Sequence, residues 1–279
     1  LGSTEATYRL NLHNLNALTF DGVISSETAG ALYLAGGSTG HIHEVGTVSF
    51  IGRPEGELME SMIRVTGSGS SLTFEKNNKV EVKGNLCSNG GGIMVSAGAQ
   101  LEMANNAEIE FSGNGRPIIN DNSYVEHGGA IYCGGENSRI SIHNNSLVTF
   151  SGNSAEQGGA VYLSGSATAS FVDNGQVIFT GNGKKDEKPA SGGSIYVTGT
   201  ATLEMKGNAG LIFRENAVGS SGAAISAVGS YNSTGPATVV LSGNDTILME
   251  RNTGYSASAI NIDNGVNFSI TGNNDVRIQ

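Results

Sequence analysis

Three tyrosines occupy the centres of short apolar triplets in the middle of the chain. They are Tyr132, Tyr162 and Tyr196, and each has Ile, Val, Leu or Cys on either side. If the flanking residues point into a core, the three rings point outward and form an exposed ladder with one ring per repeat. Such a ladder can stack on sugar rings or anchor a protein partner, and we take it as the candidate partner-binding site. The alternative is structural, because tyrosine is favoured in strands and makes cross-strand pairs.

Histidine and carboxylate side chains form a second group near the N terminus. His13 and His43 occupy equivalent outward positions, Glu75 is next in the same row, and His41 lies on the strand of His43. Two imidazoles and a carboxylate are a ligand set that a divalent metal accepts. Because the spacing matches no recognised metal-binding motif, we assign no metal and no cofactor, and whether this row binds metal stays open.

Two carboxylates, Glu81 and Glu110, should be neighbours on the outward side of one row of strands. Paired acids on a parallel β-helix are typical of polysaccharide-cleaving enzymes, in which they bind Ca²⁺ or perform acid/base chemistry. We expect no cluster of Lys or Arg around this pair, and therefore solvated charges. The sequence also contains no phosphate-binding glycine loop, cysteine cluster or nucleophile elbow, so we predict no catalytic residue.

The element that positions these side chains is a repeat of about thirty residues. Short apolar alternations follow one another at residues 140–142, 148–150 and 161–163, and we name them strands b, c and a. Alternation with period two predicts strands, and the Gly, Asn and Ser residues between them predict tight turns. Strands b and c recur nine times with a constant spacing of eight residues. A fixed spacing with rare insertions predicts stacked units.

Three strands per repeat predict the fold class, an all-β single parallel β-helix built as a three-sided solenoid of about nine coils. One coil cannot bury its own apolar side chains, so its neighbours complete the core. Strands of the same letter then stack as three parallel sheets, with neighbouring strands about 4.8 Å apart. By analogy with parallel β-α-β units, we expect right-handed winding. The composition agrees, since 42 glycines serve many turns and all four prolines lie between strands.

Asparagine and phenylalanine recur at fixed places in the coils. We predict amide ladders that run along the rod, with asparagines in the αL conformation at the corners, and a buried aromatic column in strand c. The asparagines after strand b are Asn77, Asn106, Asn145, Asn174, Asn208, Asn244 and Asn273. Those after strand c are Asn85, Asn114, Asn153, Asn182, Asn216 and Asn252. The column consists of Phe20, Phe50, Phe111, Phe150, Phe179 and Phe213.

We predict one β-helix domain over residues 1–279, with irregular coils in 1–60 and regular coils in 61–279. The chain starts at Leu1 without an initiator methionine and has no run of eighteen apolar residues. We interpret it as a fragment of a longer surface protein. Segments longer than a minimal turn should be surface loops that belong to a binding face. These segments are 53–61, 115–127, 183–190 and 228–237.

Charge and apolar surface limit the expected partners. The net charge of −10 excludes nucleic acid and an anionic membrane surface. Ile178, Ile212 and Leu248 should form an apolar outward strip that contacts a loop, a neighbouring molecule or a partner. Self-association through exposed sheet faces or ends is a further expectation. Cys87 and Cys133 lie in different parts of different coils, so we expect no disulfide between them.

Two tetrapeptide motifs alternate along the chain. F-S-G-N at 111–114 and 150–153 alternates with G-G-A-I at 128–131 and G-G-A-V at 158–161, and variants continue as far as F-R-E-N at 213–216. This alternation, over roughly residues 74–260, resembles the repeats of polymorphic membrane proteins of the chlamydial type. The resemblance implies an autotransporter, in which a surface-exposed β-helix passenger is exported through its own C-terminal membrane barrel. That barrel, the only anchor to the outer membrane that we expect, is not present in this fragment.

The resemblance further implies a position at the cell surface or outer membrane and a role as an adhesin or virulence-type passenger. We therefore expect a non-enzymatic protein that binds a host cell-surface protein or glycan through its outward strand faces and inserted loops. The alternative is a carbohydrate-active β-helix enzyme, either a polysaccharide lyase or a glycoside hydrolase. Such an enzyme needs several acids and a base converging in one groove, which three adjacent coils do not supply.

Overall fold

The computed structural model describes seven segments of the chain. Every regular secondary-structure element in these segments is a β-strand. The segments are residues 7–22, 29–52, 61–87, 89–115, 127–183, 191–229 and 235–279. Their strands form three sheets of nine, nine and eight strands, and neighbouring strands within each sheet are parallel. The predicted all-β, three-sided solenoid is confirmed. Its right-handed winding stays a prediction.

Each coil runs through strands b, c and a in turn, so each sheet takes every third strand. Sheet b contains β1 (Arg9–His13), β4 (Thr39–His43), β7 (Ser71–Glu75), β10 (Gln100–Ala104), β13 (Arg139–His143), β16 (Thr168–Val172), β19 (Thr202–Lys206), β22 (Ala237–Ser242) and β25 (Val266–Thr271). Sheet c contains β2 (Ala17–Asp21), β5 (Thr47–Ile51), β8 (Lys79–Lys83), β11 (Glu108–Ser112), β14 (Leu147–Ser151), β17 (Gln176–Thr180), β20 (Gly210–Arg214), β23 (Thr246–Glu250) and β26 (Asp275–Ile278). Sheet a contains β3 (Leu32–Leu34), β6 (Ile63–Thr66), β9 (Ile93–Ser96), β12 (Ile131–Gly134), β15 (Val161–Leu163), β18 (Ile195–Gly199), β21 (Ile225–Gly229) and β24 (Ile260–Asp263).

The core is a column of side chains along the axis of the solenoid. In β11, β14, β17 and β20 the second inward residue is Phe, and the rings of Phe111, Phe150, Phe179 and Phe213 stack in sequence. Their centroids are 4.8, 4.7 and 4.9 Å apart, and neighbouring ring planes lie within 3° of parallel. All four side chains are fully buried. The predicted aromatic column is confirmed.

The aromatic column has one gap towards the N terminus. Phe20 and Phe50 stack with their centroids 4.8 Å apart. Val82 then stands between Phe50 and Phe111 in the strand register. Since Val82 is itself fully buried, the apolar core stays continuous although the ring stack is interrupted.

Both predicted amide ladders are present at the corners. Asn106 Nδ2 and the Asn106 backbone N–H donate to Asn145 Oδ1 over 3.0 and 2.9 Å, and Nδ2 also donates to the Phe74 carbonyl over 3.0 Å. The same three bonds recur at Asn153 in the ladder after strand c. That ladder begins at Asn85, whose Oδ1 has no hydrogen-bond partner among the described residues. The buried amides thus join each coil to the next.

The prediction that the ladder asparagines adopt the αL conformation is wrong. Positive φ occurs instead at the residue immediately before them, for example 58° at Asn105, 56° at Asn144 and 60° at Gly152. Among the described residues, no ladder asparagine has a positive φ. The chain therefore bends one residue earlier than predicted. An outward residue makes the corner, and the following asparagine directs its amide along the rod.

The Gly-Gly pairs before the a strands have two separate steric causes. The first glycine of a pair, such as Gly158 with a φ of +64°, takes a left-handed conformation that suits glycine. The second has no room for a side chain, because a Cβ on Gly159 would lie 2.3 Å from the Gly193 carbonyl oxygen. A Cβ on Gly129 would likewise lie 2.2 Å from the Gly159 oxygen. The motif follows from the close approach of successive coils.

Two further expectations concern cysteines and inserted segments. Cys87 and Cys133 are both buried and form no disulfide with each other, in agreement with the prediction. Burial raises the pKa of Cys133 to about 12, so its thiol stays protonated at neutral pH. Most of the predicted insertions 53–61, 115–127 and 183–190, and half of 228–237, lie outside the described residues.

Candidate functional site

The three candidate tyrosines form a ladder on the outer side of sheet a. Tyr132, Tyr162 and Tyr196 lie opposite one another in the register of β12, β15 and β18. Their ring centroids are 5.5 and 5.7 Å apart, and the angles between the ring planes are 15° and 2°. The predicted arrangement of one ring per coil is therefore present.

The prediction that this ladder is exposed is wrong. Tyr162 and Tyr196 are each only 8% exposed, and Tyr132 is half-buried. Neighbouring rings cover one another, and the Tyr132 ring also leans over Gly134 of its own strand. A Cβ on Gly134 would lie 2.4 Å from Tyr132 Oη. The stacked ring faces are consequently unavailable to a sugar.

Burial also changes the acidity of the tyrosines. Burial, followed by the neighbouring Tyr132 and Tyr196, raises the pKa of Tyr162 to about 12. Burial and, to a smaller extent, the charge of Asp263 raise the pKa of Tyr196. Both phenols therefore keep their protons at physiological pH and can donate hydrogen bonds.

A polar column runs beside the tyrosine ladder. The His127 ring centroid lies 4.2 Å from that of Tyr162, and His127 Nδ1 lies 3.0 Å from Asn89 Oδ1. Asn89, Gln157 and Ser191 hold the same place before the glycines of their own coils. Parallel bridges join His127 to Asn89 and Gln157, and Gln157 to Ser191. This column was not predicted from the sequence. The feature of the sequence that could have revealed this column is the polar residue immediately before each Gly-Gly pair.

The outward row of sheet a continues towards the N terminus with large side chains. In the register, Tyr132 is followed by Met94, Arg64 and Tyr33. The Arg64 guanidinium lies 6.0 Å from the centroid of the Tyr33 ring, within the range of a cation–π contact. Tyr33 is 47% exposed, so this end of the row is the more accessible one. We call the whole set the tyrosine row: Tyr33, Arg64, Met94, Tyr132, Tyr162 and Tyr196.

The predicted histidine group lies on the first coils of sheet b. The ring centroids of His13 and His43 are 4.9 Å apart, and those of His41 and His43 are 4.2 Å apart. His41 Nε2 lies 3.3 Å from Glu75 Oε2. The four side chains are thus brought together. In the described part of the chain, however, no three His, Cys, Asp or Glu side chains already stand where they could hold a metal ion.

Glu81 and Glu110 are neighbours on sheet c, as predicted. The expectation that they lack nearby cations is wrong. Lys79 Nζ lies 2.8 Å from Glu110 Oε2, and Lys83 Nζ lies 2.9 Å from Glu81 Oε2. The hydrogen bond from Lys79 lowers the pKa of Glu110 despite the opposing effect of burial. The sequence signal was the alternation K-V-E-V-K at 79–83, which places all three charges on one face.

The predicted apolar strip is present on sheet c. Ile178, Ile212 and Leu248 lie opposite one another in β17, β20 and β23, and each is half-buried. An ion pair between Arg214 and Glu250 flanks the strip. The three side chains thus follow one another in register as an apolar line on the outer face.

Taken together, the described residues define a class of protein. They form a three-sided parallel β-solenoid that presents side chains in straight rows, one residue per coil, on its outer faces. Among the described residues, no helical segment has the length and hydrophobicity that a membrane crossing requires.

Comparison with known proteins gives this solenoid a family context. A model of the Chlamydia polymorphic membrane protein repeat matches residues 147–164, which include β14, the corner at Asn153, one Gly-Gly turn and β15. The "Probable outer membrane protein PmpA" of Chlamydia muridarum is 30% identical over 136 residues. That alignment covers 43% of this chain and 14% of the relative. No solved structure matches the chain.

The chain therefore carries a repeat of the polymorphic membrane protein type at residues 147–164, and the resemblance predicted from its motifs is confirmed. The same similarity supports the predicted location at the cell surface or outer membrane. Because the alignment spans a small part of the relative, the activity and partners of the whole protein are matters for proposal.

Proposed function

We propose that this chain is part of the β-solenoid passenger of a surface-exposed autotransporter and acts as a non-enzymatic adhesin for a host cell-surface protein or glycan. The observation that carries the proposal is the tyrosine row, six large side chains in register on the outer side of sheet a. Similarity to an outer membrane protein supports an external position. A rod that repeats its outer faces suits attachment over an extended contact.

A protein partner fits the tyrosine row better than a glycan does. Tyr162 has a ring on each side, and Tyr196 stacks on Tyr162 and is only 8% exposed, so neither leaves a surface for stacking on sugar. Tyr, Arg and Met are enriched at protein interfaces, and Tyr33, Arg64 and Met94 provide all three at the accessible end of the row. We expect Tyr33 and Arg64 to act as anchors, with the inserted loops adding contacts.

The polysaccharide-cleaving alternative requires acids that exchange protons with a substrate. Glu81 and Glu110 are instead paired with Lys83 and Lys79. Since a nearby cation favours the charged carboxylate, this pairing makes Glu110 a poor general acid. Turnover of acidic or neutral polysaccharides by the purified chain would contradict the adhesin proposal.

Binding of the fluorescently labelled chain to cultured host cells and to immobilised glycans tests the proposal. We expect saturable binding to cells by the natural sequence. The variant Tyr33→Ser, Arg64→Ser, Tyr132→Ser should bind at least about 10-fold more weakly, as expected when anchor side chains of an interface are removed. Circular dichroism verifies that the variant retains its strands.

The matched control changes a different face of the same rod. Thr168, Thr202 and Thr238 are opposite one another on the outer side of sheet b, and their joint replacement by Ala should leave cell binding unchanged. Equal loss in both variants would remove the tyrosine row as the site. No saturable binding of the natural sequence to cells or glycans would remove the adhesin role.

A further inference from the structure

Three histidines of β1 and β4 form an imidazole cluster that takes no part in the proposed adhesion. His41 and His43 are two residues apart on β4, so both side chains leave the same face of sheet b. His13 and Glu75 are the register partners of His43 on its two neighbouring strands. We propose that His41, His43 and Glu75 bind one divalent first-row transition-metal ion of the Zn²⁺, Ni²⁺ or Cu²⁺ type.

Hydrogen bonds indicate which ring nitrogens are available to a metal. His43 Nε2 lies 3.1 Å from Asn11 Oδ1. Because a carbonyl oxygen can only accept, this contact requires the proton on Nε2, and in the neutral imidazole it leaves the lone pair on Nδ1. Metal-ligating histidines commonly donate their other N–H to such an oxygen. His13 differs, since its Nδ1 accepts from Asn14 Nδ2 over 2.9 Å, and we assign it a stacking role beside the ligands.

His41 provides an independent observation. Its Nε2 is buried and forms no well-aligned hydrogen bond within the described residues, and the Glu75 Oε2 atom lies 3.3 Å from it, at ion-pair distance. A buried polar atom that lacks a well-formed hydrogen bond is costly. A metal ion bound to both atoms would satisfy them, because imidazole nitrogen and carboxylate oxygen bind Zn²⁺ at about 2.0–2.2 Å and imidazole also suits Cu²⁺ and Ni²⁺.

The local charges favour a cation at this place. Glu44 Oε2 lies 3.5 Å from His43 Nδ1, and Lys76 Nζ lies 3.3 Å from Glu75 Oε1. The cluster thus contains two carboxylates, those of Glu44 and Glu75, and one ammonium group, that of Lys76. The donor atoms do not yet surround a common point, so binding requires rotation of the imidazole rings. Partly exposed side chains such as that of His41 make such rotations within nanoseconds.

The test uses the chain without a polyhistidine tag, because a tag would bind the same metals. Isothermal titration with ZnCl₂, NiCl₂ and CuCl₂ should detect a single site for at least one of them. The same metal should raise the melting temperature, since it binds the folded state. Acidification should weaken binding, because protons compete for the imidazole nitrogens.

Variants separate this site from incidental histidine binding. His41→Ala and His43→Ala should each abolish the single-site isotherm, and Asn11→Ala should weaken it by about 10- to 100-fold. His143→Ala is the matched control, since His143 lies in the same outward row and pairs with Glu102 at 3.0 Å. It should bind metal like the natural sequence. Failure to bind any of the three metals, or undiminished binding by the first two variants, overturns the proposal.

Discussion

At the residue scale, one asparagine at a corner connects three coils. Asn153 Nδ2 donates to Asn182 Oδ1 and to the Phe111 carbonyl, while Asn153 Oδ1 accepts from Asn114. The three asparagine side chains and the Phe111 carbonyl that form these bonds all lie in the interior. Leaving one of them unpaired costs more than a single bond contributes, which explains why asparagine recurs at this place from coil to coil.

Asn153→Ala should lower the free energy of unfolding by about 1–3 kcal/mol. The substitution removes the acceptor of both the Asn114 backbone N–H and its Nδ2, each at 3.0 Å. Denaturant unfolding followed by circular dichroism measures the change. As a control, Asn267→Ala at an exposed position should shift stability by less than about 0.5 kcal/mol. Equal effects of the two substitutions would contradict the ladder's contribution.

Gly159→Ala should prevent normal packing of two coils. The added Cβ would lie 2.3 Å from the Gly193 oxygen and 2.6 Å from the Gly183 nitrogen, and backbone atoms cannot move aside cheaply. We expect a loss of at least about 1–3 kcal/mol from overpacking, measured as a lower melting temperature. Gly210→Ala is the control, because its Cβ would have no neighbour closer than Gln176 Cγ at 3.6 Å. A Gly159 variant as stable as the Gly210 variant would refute the close approach of coils.

At the scale of elements, the tyrosine ladder contributes to the packing of sheet a. Tyr162→Ser should therefore lower the free energy of unfolding by about 3 kcal/mol, as expected for truncating a buried aromatic side chain. Tyr33→Ser, at the exposed end of the same row, should cost less than about 1 kcal/mol. Chemical denaturation compares them. If Tyr162→Ser leaves stability intact, the ring is more exposed than the structure indicates.

The charge network on sheet c makes stability depend on pH. The hydrogen bond from Lys79 lowers the pKa of Glu110, so this contribution is complete above the carboxyl's unfolded pKa and is lost as the pH falls through its folded value. Lys79→Met should destabilise the chain by at most about 1 kcal/mol at pH 7. The difference should shrink below about pH 4. Lys206→Met, at an exposed position, should show no such dependence; a pH-independent effect of Lys79→Met would contradict the pairing.

The sequence pattern predicts the features that repeat within one coil. It does not predict the side-chain contacts that depend on a neighbouring coil. The apolar alternation around Phe111 and Phe150 predicts which side chains of these strands point into the core, since period-two alternation allows only one side of a strand to face it. The burial of Tyr162 was not predictable from its triplet, because it depends on rings one coil above and below. Lys79 meets Glu110 only because β8 and β11 are paired, with Lys79 opposite Glu108, 29 residues further along the chain. Contacts between coils therefore carry the information that the sequence pattern lacks.

At the scale of the whole molecule, each coil contacts mainly the coils before and after it. The stability of such a rod is approximately a sum of coil and interface contributions. Outward positions are only weakly constrained by this packing, so one scaffold can carry the tyrosine row, the histidine cluster and the charge network on separate faces. The account consequently depends on the linear stacking of coils.

Distances between spin labels along one outward row measure that stacking directly. In the register of sheet c, Thr47 precedes Gln176, Thr246 and Asp275 by four, six and seven strands. With Cys87 and Cys133 replaced by Ala, paired labels from Thr47 to these three positions should lie about 19, 29 and 34 Å apart. A constant increase of about 4.8 Å per strand is the predicted result. Distances that do not grow with strand number would contradict the solenoid.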